Sequence, residues 1–205
     1  AGGFSYGALI RSLGELVRRT PVLRRKTLYH MALFASFSLF WTAVPLQLAG
    51  PMFGFTQKGI AMFALAGAAG AIAAPFAGRF ADRGHGRLVT AGSMASVALS
   101  FAVAYLGGIQ GNLIVLLAAA LLLDLGVTGN LIVGQRAVNH LGDEHRSRLN
   151  GLYVAGFYAG GVMGSALAAF AFVHAGWGAV SAIGLALGLV AILYFATEVI
   201  RGNEI

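Results

Sequence analysis

Gly78-Arg79-Phe80-Ala81-Asp82-Arg83-Gly84-His85-Gly86-Arg87 is a glycine-flanked, charged turn between two long uncharged segments, Gly59–Gly78 and Leu88–Leu106. Each flanking segment has the length of a membrane crossing, since about 20 mostly apolar residues span about 30 Å of hydrocarbon. Four more segments of that kind follow on working outward: Thr27–Leu48, Leu113–Gln135, Leu149–Val173 and Gly178–Thr197. Helix is the required form, because backbone polar groups find no water in lipid. The expected fold is an all-α membrane protein of six transmembrane helices.

Composition agrees. The 205 residues are 58% hydrophobic and 10% charged, with a mean hydropathy of +0.80. Soluble domains carry about 25% charged residues, so a water-facing surface is missing. Thirty glycines against four prolines suit helices whose backbones approach through small residues. Gly156, Gly160, Gly164 and Ala168 recur every four residues, as do Gly70, Ala74 and Gly78, with Gly184 and Gly188 in the last segment. These faces are read as packing surfaces, or as surfaces that also slide; Pro75 is read as a kink. No cysteine is present, which removes disulfides and thiolate metal sites.

The net charge of +7 reports orientation rather than nucleic acid. If the spans alternate, thirteen of the fourteen Lys and Arg residues lie on one side and only Lys58 on the other. The excess marks the cytoplasmic side, with both termini there. Before the first span, Tyr6, Leu9, Ile10, Leu13, Leu16 and Val17 lie opposite Arg11, Glu15, Arg18 and Arg19. That pattern predicts an amphipathic surface helix ending before Pro21. The chain thus divides into a cytoplasmic linker helix over 1–26 and a transmembrane bundle over 27–201. The segment is either a linker to a preceding domain or a simple anchor. The opening Ala1-Gly2-Gly3, without Met or signal peptide, reads as a fragment, a processed chain or a half-sized relative.

Asp124 lies midway along the fourth span. A charge there costs about 2.5–3.5 kcal/mol, so it must face protein or water. Thr128, Leu131 and Gln135 share its face at 100° per residue and form a stripe toward the cytoplasmic end. Ser38, Trp41, Thr42 and Gln47 are a second, weaker polar set on the first span. Asp124 either binds a cation or proton, or stitches two helices together. Asn130 points elsewhere and reads as a helix-to-helix bond. Tyr153, Phe157 and Tyr158 line an apolar cavity or pack in the core, and Trp177 reads as an interfacial anchor. His30 lies near a span end and His85, His140, His145 and His174 in loops or at span ends. No catalytic, cofactor or metal site is therefore expected, nor an enzyme.

With this topology in hand, the 78–87 turn resembles the signature loop of the major facilitator superfamily, which joins the second and third helices of each six-helix half. Gly78, Phe80, Ala81, Asp82 and Arg83 match in place, while Gly86 and Arg87 arrive one residue late. Asp124-Leu125-Gly126-Val127, the 146–151 stretch and the 160–165 stretch look similar to drug–proton antiporter-like members. The resemblance implies the C-terminal half of a twelve-helix transporter, a 3+3 inverted repeat in a bacterial inner membrane. It implies alternating access, proton-coupled export of a small organic solute, and partnership with a second six-helix half. Asp124, Thr128, Gln135, Trp41 and Thr42 would then bind substrate or proton. Gly78, Asp82, Arg83 and Arg87 would form a gate, with Asp82 and Arg83 locked near the start of span five. The rival reading is a non-transporting membrane module.

Overall fold

The structure is a computed structural model that describes residues 6–141 and 146–200. Its described residues form α1 (Tyr6–Arg19), α2 (Pro21–Ala49), α3 (Gln57–Gly67), α4 (Ala74–Phe80), α5 (Gly86–Gln110), α6 (Leu113–Asn139) and α7 (Arg146–Ile200), with no strand among them. Four helices are long and apolar enough to cross a bilayer: Pro21–Ala49, Asp82–Gln110, Leu113–Asn139 and Arg146–Ile200. Large apolar side chains such as Leu65, Ile72, Val162, Phe170 and Leu193 face outward. In water that surface would be a liability; in hydrocarbon it is the natural exterior.

Local chemistry sets the helix ends. Pro21 occupies the first turn of α2, where its missing N–H costs nothing. The helix therefore begins six residues before the expected Thr27, and Arg24, Arg25 and Lys26 belong to it. The Thr56 hydroxyl caps α3. A 3-10 stretch over Ala68–Ala73 then separates α3 from α4. The kink expected at Pro75 lies just ahead of it, because the proline ring clashes with the carbonyl four residues earlier in regular α geometry. Gly84 takes φ 82° in the α4–α5 turn, a conformation that glycine adopts without a Cβ penalty. Asn112 accepts from the N–H groups of Ile114 and Val115 to start α6.

The 55-residue α7 breaks at Gly176, where φ is 69° and ψ −164°. Its two arms run in opposite directions, as their contacts with α2 require. Gly156, Gly160 and Gly164 meet Thr27, Met31 and Ala35, so the 146–175 arm advances in step with α2. Trp177 packs on Phe40 and Tyr194 on Tyr29, so the 177–200 arm returns against it. Gly184 and Gly188 of the returning arm abut Phe101 and Ala98 of α5. The small-residue faces thus pack helices at close range, where a larger side chain would strike backbone.

Trp177 corrects the reading of an interfacial anchor. It is buried, lies over Gly108 and donates Nε1–H to the Ala104 carbonyl at 2.9 Å. The glycine pair beside it shapes the reversal, while the indole plugs the α5–α7 contact. The main core gathers Leu33, Leu39, Phe40, Met94, Phe101 and Leu123. A second cluster joins Leu23, Val138, Leu149, Tyr153 and Phe157, with Leu16 and Val17 of α1 packed against it.

Candidate functional site

Asp124 is buried on α6 at 7% exposure. Its Oδ1 accepts from Trp41 Nε1 of α2 at 3.1 Å. Two glycines on the facing α3 and 3-10 segment make the room. A Cβ on Gly67 would stand 2.6 Å from Trp41 Cη2, and one on Gly70 would stand 2.7 Å from Asp124 Cβ and 2.8 Å from the Leu121 carbonyl oxygen. Neither contact leaves space for a side chain. The carboxylate is thereby held where α2, α6 and the 3-10 stretch converge. Phe37, Phe40 and Phe63 surround the indole and fix its orientation.

The other residues of the two polar sets are placed differently. Thr128, Leu131 and Gln135 are half-buried along α6, and no hydrogen bond joins Thr128 or Gln135 to Asp124. The first-span set radiates from α2 instead of converging. Thr42 donates to Ser165 Oγ of α7 at 3.2 Å, and Gln47 to the Gly108 carbonyl of α5 at 3.2 Å. Trp41 alone reaches Asp124. Adjacent residues on a helix point about 100° apart, so Trp41 and Thr42 serve different neighbours.

In the turn after α4, Asp82 forms an ion pair with Arg136 in the last turn of α6. The turn lies over the last turns of α6, which brings the two side chains together. A Cβ added at Gly78 would meet Ile132 at ordinary contact distance, while Arg83 and Arg87 are exposed.

Two buried polar clusters go beyond the predicted residues. Asn130 Nδ2 lies 3.1 Å from His30 Nδ1, so Asn130 does bond helix to helix, and both are buried. His30 is stacked with Tyr153 and edge-on to Phe157, which sets these rings in the core. The second cluster centres on Glu198 of α7, 2% exposed. It accepts from the Tyr29 hydroxyl at 2.6 Å and pairs with Lys26 at 3.5 Å and Arg25 at 4.0 Å. A buried carboxylate without such partners would be severely destabilising. The sequence signal was present as an acid at the sixth span's end, facing the basic run before the first. Only the return of α7 beside α2 joins them. No group of three metal-ligating side chains occurs among the described residues.

Long apolar helices, an outward apolar surface and charges held in pairs inside define an integral, α-helical membrane protein. The chain belongs to the Major Facilitator Superfamily, whose family model matches residues 27–203. It is similar to "Uncharacterized transporter YgaY" of Escherichia coli O157:H7, 33% identical over 189 residues, covering 92% of this chain and 48% of that protein. It is also similar to "Probable transporter SCO4007" of Streptomyces coelicolor, 34% identical over 169 residues, 82% of this chain and 39% of that protein. The chain therefore spans about half the length, or less, of these relatives. No solved structure matches it.

Proposed function

We propose that the chain is the C-terminal six-helix half of a secondary transporter that exports a small organic solute against protons by alternating access. The six crossings are α2, the 57–80 segment, α5, α6 and the two arms of α7, forming two inverted sets of three over residues 27–201. The segment expected as a linker over 1–26 is served by α1, Tyr6–Arg19, which lies at the cytoplasmic surface against the bundle, while Pro21 to Lys26 belong to α2. The protein sits in a bacterial inner membrane with both termini cytoplasmic, facing a second six-helix half. Family membership and the transporter names of its relatives support this reading. So do the opposite directions of the two arms of α7 along α2, inferred from their contacts.

The observation that carries the site is the Trp41–Asp124 hydrogen bond, which holds an acid midway along α6 against α2. In this reading Asp124 exchanges a proton or binds the solute, and Trp41 orients its carboxylate. Thr42, Thr128 and Gln135 offer further hydrogen bonds when the halves rock about the midplane. Gly78, Asp82, Arg83 and Arg87 form the cytoplasmic gate, with Arg136 as the partner of Asp82. Ethidium efflux driven by an imposed pH gradient, measured in vesicles carrying the full transporter, tests the proposal. Gradient-dependent efflux lost in Asp124→Asn is expected; efflux identical in wild type and variant removes Asp124 from the mechanism. Absence of any gradient-driven flux across a panel of organic solutes favours the non-transporting module.

A further inference from the structure

A cavity of about 460 Å³ lies at the end of the bundle where α2 begins and α6 finishes, beneath the α4–α5 turn. Lys26, Arg87, Arg136 and His140 line it, with Glu198 as the facing acid. Both nearby carboxylates are already engaged. Glu198 answers Lys26, Arg25 and the Tyr29 hydroxyl, and Asp82 answers Arg136. Arg87 has no carboxylate within 4 Å among the described residues, and its charge opposes that of the buried Lys26. The mouth of the cavity therefore carries positive charge, on the exposed Arg87, that neither of these acids answers.

We propose that this cavity binds a phosphate-bearing anion, with Arg87 as the principal ligand and Arg136 and His140 completing the site. Guanidinium groups match phosphate oxygens through paired N–H donors. The volume is many times the ~30 Å³ share of one liquid water, so a phosphate group with attached atoms fits. Val133 and Ala137 of α6, with Leu141 just beyond it, supply an apolar wall suited to the glycerol end of a lipid. The site lies at the end of a membrane helix, where headgroups reside and where basic pockets between helices take anionic lipids. Arg136 also holds Asp82, so an occupant competes with the turn for one guanidinium. The proposal needs only a membrane-embedded bundle and is independent of transport.

The test reconstitutes the purified protein in phosphatidylcholine vesicles containing increasing phosphatidylglycerol and counts retained lipids by native mass spectrometry. Phosphatidylglycerol is expected to be retained over phosphatidylcholine, and Arg87→Gln to lower that retention about fivefold, the effect of one interfacial cation. Arg87 is exposed, so the variant should keep its fold; an unchanged unfolding temperature checks this. If radiolabelled inorganic phosphate binds the wild type, fails to bind Arg87→Gln and displaces the lipid, the phosphate comes from solution and the site stands. Equal retention in wild type, Arg87→Gln and Arg87→Gln/His140→Gln overturns the site.

Discussion

Replacing Trp41 with Phe keeps an aromatic ring among Phe37, Phe40 and Phe63 while deleting the one N–H that reaches Asp124. Interhelical side-chain hydrogen bonds measured in membrane proteins average about 0.6 kcal/mol, with a maximum near 1.7. A charge-assisted bond is roughly twice as strong as a neutral one. At 3.1 Å and inside the bundle, the Trp41–Asp124 bond should then contribute about 1–1.5 kcal/mol. The single substitution also loses indole packing in the slot opened by Gly67, so its total cost overstates the bond. A double-mutant cycle of Trp41→Phe with Asp124→Ala cancels that packing loss. Reversible unfolding in mixed micelles, followed by helical circular dichroism, supplies the four stabilities. A coupling energy below about 0.4 kcal/mol, the usual scatter of additive sites, would refute the reasoning that the indole holds the carboxylate.

Four further outcomes are expected. Gly70→Val drives a side chain against the Asp124 Cβ and the Leu121 carbonyl, a strain of about 1–3 kcal/mol; a thermal midpoint equal to wild type would contradict that contact. Glu198→Ala leaves Lys26 buried without its acid and should cost about 3–5 kcal/mol, well above Tyr29→Phe in the same unfolding assay; equal costs would count against the ion cluster. Asp82→Asn breaks a half-exposed pair with Arg136, so stability should fall by no more than ~1 kcal/mol. A thiol probe introduced at Thr128 should nevertheless label at a changed rate, and an unchanged rate argues against a gate. Because the chain has no cysteine, single cysteines at His85 and Lys58 are clean orientation reporters. Labelling of His85→Cys from the external face would invert the proposed topology.

The apolar segments and the charged turn are legible in one dimension because span length and charge placement are properties of the chain itself. The small-residue spacing of Gly156, Gly160 and Gly164 likewise announces a close helix contact. The partner of that face does not appear in the spacing; it is set by the parallel course of α2 and the first arm of α7. Trp177 shows how local chemistry misleads. An aromatic between two glycines at a span end looks interfacial, yet the chain reversal at Gly176 turns it inward onto Gly108. Thr42 and Gln47 look like companions of Trp41, but helical rotation sends each to a different neighbour.

By itself, then, the amino-acid sequence determined the bilayer as solvent, helices as the spanning form, and Asp124 as a charge requiring protection. Free energy of transfer depends on residue type and run length, so no tertiary knowledge is needed for these. Only the tertiary structure decided which groups protect which: Trp41 for Asp124, His30 for Asn130, Arg136 for Asp82, and Glu198 for Lys26. Pairing depends on helix direction, rotation and offset. Those are fixed when backbones close at glycine contacts far apart along the chain.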